Sequence, residues 1–140
     1  MPQDRDTGRA ANRFGHCIAK IIAHRMGLEF IDYATSNRCK GPKGIGVIKS
    51  ARTSSYIGVL KTMLPELNVI YAVLKMDTDA YQVFEISREE FENFMFEPTA
   101  KRNKHMWFMK VRDIKSFRPI ERFDERQLLL PVNDNYISRF

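Results

Sequence analysis

The stretch Val69-Ile70-Tyr71-Ala72-Val73-Leu74 is apolar at nearly every position. A strand of that composition has no polar face to turn to water, so it belongs in the middle of a sheet that is covered on both sides. A second β-branched run, Ile45, Val47 and Ile48, follows a Gly-Pro-Lys-Gly turn and reads as another buried strand. This one ends abruptly in Lys49, Ser50, Ala51 and Arg52. Burying an unpaired ammonium costs several kcal/mol. Lys49 therefore either snorkels from the strand end to water or is aimed into a site where it positions an anion or a water.

The rest of the chain supplies the covering layers. Phe14, Ile18, Ile21, Ile22 and Met26 recur at helical spacing, with Asn12 as a cap and Gly27 as a stop, and His16, His24, Lys20 and Arg25 fall on the solvated face. Residues 28–34 read as a strand, and 35–44 as a basic, turn-rich connection with a short strand at 37–40. Thr53, Ser54 and Ser55 offer caps for a helix carrying Ile57, Leu60, Met63 and Leu64, ended by Pro65. The turn at 77–79 leads to an alternating strand at 80–86, the expected antiparallel neighbour of the central strand. Ser87 and Glu90 fit a capping box for a helix with Phe91, Phe94 and Met95, closed by Pro98. A strand at 105–111 follows. The expectation is a single domain over 1–140, with 1–11 as a polar arm and 121–140 as a C-terminal extension. Its order is α-β-(β)-β-α-β-β-α-β around a mixed sheet of about five strands.

A net charge of +6 and a pI near 9.5 favour a polyanionic partner, because Lys and Arg neutralise phosphates and release counterions. Lys101, Arg102 and Lys104, followed by Trp107 and Phe108 beside Lys110, interleave cations with aromatics, as a nucleic-acid surface or a solvated loop before an amphipathic strand would. Two cysteines, Cys17 and Cys39, in a chain with no recognisable signal peptide point to free thiols and a reducing, cytoplasmic setting. No Cys/His spacing suits zinc, no Walker-type loop is present, and no apolar run approaches the roughly 20 residues of a membrane span.

Ile48-Lys49-Ser50-Ala51-Arg52, with one helix expected before it and another after it, resembles the third-strand motif of the PD-(D/E)XK nucleases, the restriction-endonuclease-like superfamily. That motif is an acid, any residue, then lysine, often followed by Ser or Ser-Ala-Arg. As an order of elements the likeness spans about residues 12–97. It implies a three-layer α/β/α sandwich and Mg²⁺-dependent hydrolysis of DNA, with Lys49 as the catalytic lysine. The position two before Lys49, where the family carries a metal-binding acid, is Val47. The family also places an aspartate on the preceding strand. If the hairpin pairs 37–40 with 45–51, Cys39 and Lys40 occupy its place; if 28–34 is the partner, Asp32 becomes the candidate.

Three function classes follow. In a metal-dependent phosphodiesterase, carboxylates from Asp32, Glu29 or Glu66 hold Mg²⁺, which acidifies the attacking water, while Lys49 orients it or neutralises the transition state. Glu29 and Asp32 differ by an odd number, so on a regular strand only one of them faces Lys49. In a lapsed nuclease, Lys49, Ser50 and Arg52, with Arg38 and Lys40, bind phosphate without cutting. The third class is an interaction subunit whose positive surface meets an acidic partner. The symmetry of duplex DNA and the apolar Leu128-Leu129-Leu130 segment favour a two-fold homodimer.

Overall fold

A computed structural model describes residues 15, 17–31, 37–124 and 126 of the chain. The arm at 1–11, the Asn12 cap, Phe14, His16, Asp32 and the Leu128-Leu129-Leu130 segment lie outside the described residues. In chain order the elements are α1 (17–25), β1 (Glu29–Phe30), β2 (Arg38–Gly41), β3 (Gly44–Ala51), β4 (Tyr56–Leu60), β5 (Val69–Lys75), β6 (Ala80–Ser87), α2 (Arg88–Phe94), β7 (Met106–Lys110), α3 (Val111–Ile114) and β8 (Pro119–Asp124). Short 3-10 turns at Leu64–Glu66 and Lys101–Asn103 complete it.

The class is α/β. Six strands form one mixed sheet in the order β1-β2-β3-β5-β6-β8, in which β3 and β5 are parallel and every other pairing is antiparallel. β5 lies inside this sheet with Val69 to Leu74 all buried, as its unbroken apolar sequence requires. Alternation along the strands divides the core in two. One face carries Ile48, Val69, Tyr71, Val73, Tyr81 and Val83 and is covered by Ile18, Ile21 and Ile22 of α1. The other carries Val47, Ala51, Ile70, Ala72, Leu74, Phe84 and Ile86 and is covered by Phe91 of α2, Ile114 of α3, and Ile57, Val59 and Met109 of a small sheet made by β4 and β7.

That small sheet corrects the helix expected after Thr53. Residues 56–60 form β4, antiparallel to β7, with Ile57 and Val59 buried against Met109. The apolar residues that matched a helical period also match a period of two over Ile57 and Val59, and pairing with a distant strand decides between them. The crossover between the parallel strands β3 and β5 is thus a strand and a 3-10 turn, not a helix.

The ambiguity over the hairpin is settled by register. β2 pairs with β3 through Cys39↔Gly46 and Lys40↔Ile45, around a turn at Pro42 and Lys43, whereas β1 pairs with β2 and not with β3. Gly44 sits at φ 101°, a conformation glycine enters without strain. Ser87 caps α2, its side chain accepting from the Glu90 amide while the Glu90 carboxylate accepts from the Ser87 amide.

Candidate nucleic-acid interface

Lys49 lies within β3, opposite Ala72 of β5, on the sheet face that also carries Val47 and Ala51. Its neighbours there are apolar: Val47 is 0% exposed, and Ala72 offers only a methyl group. The lysine is partly buried, and loss of hydration pushes its pKa below the usual 10.5. Among the described residues no carboxylate ion-pairs with it.

Register brings a second cation to the same face. Arg38 of β2 stands opposite Val47, which makes it the diagonal neighbour of Lys49, about 7–8 Å away between backbones. Its guanidinium lies 3.6 Å from the carboxylate of Glu66, the last residue of the 3-10 turn before β5. Val47, directly opposite Arg38 and two residues before Lys49 on the same face, stands where the nuclease motif has an acid.

The other residues singled out from the sequence are scattered. Ser50 faces α1, with a Cβ placed on Gly15 falling 3.5 Å from its hydroxyl oxygen, so Lys49 and Ser50 point to opposite sides of the sheet and cannot grip one phosphate together. Arg52 lies exposed just beyond β3. Lys40 shares the Lys49 face but is exposed near the hairpin turn, in register with Glu29 on one side and Ile45 on the other. Cys39 belongs to the α1 face, where burial raises its thiol pKa to about 11. Lys101, Arg102 and Lys104 are exposed on and beside the second 3-10 turn, at the end of the small sheet where Leu60 meets Met106.

The described carboxylates do not converge. Glu29 is two strands from β3 and level with Ile45, four positions from Lys49, which sets the backbones about 16 Å apart. Glu66 is held by Arg38. Among the described residues no group of three or more His, Cys, Asp or Glu side chains is placed to hold a metal ion. The described residues thus assemble no Mg²⁺ site of the kind the nuclease motif implies, and Asp32 lies outside them.

What the arrangement offers is Lys49 among apolar neighbours, with Arg38, ion-paired to Glu66, diagonally beside it. Low local dielectric strengthens their attraction for an anion, and a phosphate between them would relieve the desolvation cost of Lys49. Alternation alone could have revealed the split between Lys49 and Ser50. The pairing of Lys49 with Arg38 needed the hairpin register. Comparison with known proteins adds no relative: no family model, curated protein or solved structure matches this chain.

Proposed function

We propose that this chain is a DNA-binding protein with a restriction-endonuclease-like, three-layer α/β/α scaffold in which Lys49 and Arg38 bind backbone phosphate without metal-dependent cutting. The observation that carries the reading is Val47, fully buried beside both cations, at the position of the acid that a nuclease would use. The net charge of +6 and the exposed Lys101, Arg102 and Lys104 add the long-range attraction that brings a polyanion to the surface.

Anisotropy titrations of a labelled DNA duplex over a range of salt concentrations test it. Affinity falls steeply with salt, and the variant Lys49→Ala/Arg38→Ala reduces the logarithmic salt slope by about two, one for each phosphate contact. Unchanged affinity in that variant overturns the reading. Incubating plasmid DNA with Mg²⁺ or Mn²⁺ separates it from the nuclease alternative: cleavage by the parent that Lys49→Ala and Asp32→Asn each abolish would assign the chain to the hydrolases instead.

A further inference from the structure

The small sheet carries a feature that duplex binding through Lys49 and Arg38 does not use. On its outer face Tyr56 stacks on Phe108, with centroids 5.6 Å apart and planes 6° from parallel. Phe96 meets both rings edge-on. Gly58 makes this possible: it stands opposite Phe108, and a Cβ there would fall 2.6 Å from the phenyl ring. A side chain at 58 would push the ring off the strand. Tyr56, at the end of the stack, remains 45% exposed.

At that end opens a groove of about 440 Å³ lined by Ser54, Ser55, Tyr56, Lys110, Val111, Arg112 and Lys115. Its floor is fixed, because the Val111 amide donates to the Ser55 carbonyl and the Ser54 hydroxyl both donates to the Tyr56 carbonyl and accepts from the Tyr56 amide. Arg112 and Lys115 are exposed, and neither forms an ion pair among the described residues; Lys110 reaches over the Phe96 ring. Among the described residues no carboxylate lines the groove.

Three cations with no acid between them are complementary to phosphate, and an exposed aromatic ring beside them is complementary to the flat face of a base. A duplex hides its base faces within the stack, so only an unpaired strand presents both. We infer that this groove is a binding subsite for single-stranded nucleic acid, with backbone phosphate against Lys110, Arg112 and Lys115 and a base stacked on Tyr56. This extends the reading of the chain as a nucleic-acid binder. It also gives the chain separate places for a duplex and for an unpaired strand.

The test compares labelled oligothymidylate with the corresponding oligo(dA)·oligo(dT) duplex, by anisotropy, on the full chain. Tyr56→Leu is expected to weaken single-strand binding roughly tenfold, while Tyr56→Trp, which keeps a stacking face, retains it. Arg112→Ala/Lys115→Ala, at exposed positions where folding is least at risk, lowers the single-strand salt slope by about two and leaves duplex binding unchanged. Single-strand affinity indifferent to both Tyr56→Leu and Arg112→Ala/Lys115→Ala overturns the inference, even if Lys49→Ala/Arg38→Ala still impairs duplex binding. Single-strand binding that depends on Tyr56 supports it, even if Lys49 and Arg38 prove irrelevant to the duplex.

Discussion

Replacing Lys49 by methionine gives the sharpest view of what the lysine costs the fold. Methionine keeps nearly the same length of apolar stem against Val47, Ala51 and Ala72 and removes only the charge. A fully buried ion carries a penalty of several kcal/mol; Lys49 keeps partial access to water, which reduces the expected gain from Lys49→Met to about 1–2 kcal/mol at neutral pH. For a chain of this size that is a rise in melting temperature of about 3–6 °C. The gain is pH-dependent with a fixed sign. Below its depressed folded-state pKa, Lys49 is charged in both states and the cost is fully present. As pH climbs from that value towards 10.5, the folded state sheds the proton first, the unfolded chain binds more protons, and the parent's stability rises relative to the variant. Thermal melts of both proteins from pH 7 to pH 10 should show the difference shrinking, while DNA affinity falls in Lys49→Met. A variant no more stable than its parent at pH 7, with a difference flat in pH, would mean that Lys49 is well hydrated at the strand end, and the argument for a poised cation would fail.

Two further outcomes follow from the same packing. Gly44→Ala should lose about 2–3 kcal/mol in denaturant titrations, because alanine is strained at φ 101° and its Cβ would fall 2.3 Å from the Asn68 side-chain oxygen that accepts the Ile45 amide; an unchanged midpoint would refute this. Native protein treated with iodoacetamide at pH 8 should be alkylated at the exposed Cys17 and not at Cys39, whose buried thiol stays protonated with a pKa of about 11. Equal rates by mass spectrometry would show that the sheet opens there.

Local signals in the sequence carried a good part of this architecture. Val69 to Leu74 announced a central strand because no polar residue interrupts it, and Ser87 with Glu90 announced the start of α2 because a capping box satisfies its donors within a few residues. Where pairing is remote the sequence was silent. Ile57, Leu60, Met63 and Leu64 suit a helix in isolation, and only β7 reveals that Tyr56 to Leu60 is a strand. The groove is hidden from the sequence for the same reason, since Ser54 and Ser55 suit a helix cap as well as a rim beside Tyr56. At the strand face the lysine was visible, but Arg38 was not its evident partner until the Pro42-Lys43 turn fixed which residue stands opposite Val47.

The crossover built from β4 has a kinetic consequence. The parallel pair β3 and β5 can form as soon as β5 is synthesised, but β4 must wait for β7, roughly fifty residues further along, before its backbone groups find partners. Until then the half-core of Val47, Ile70, Ala72 and Phe84 has helix α2 beside it and an unpaired strand over it. Closure of the small sheet is therefore a late event in folding, and mutations in β4 should speed unfolding more than they slow folding. The edge exposed in the interim, Tyr56 to Leu60, is where a chain interrupted before residue 106 would meet other chains and aggregate.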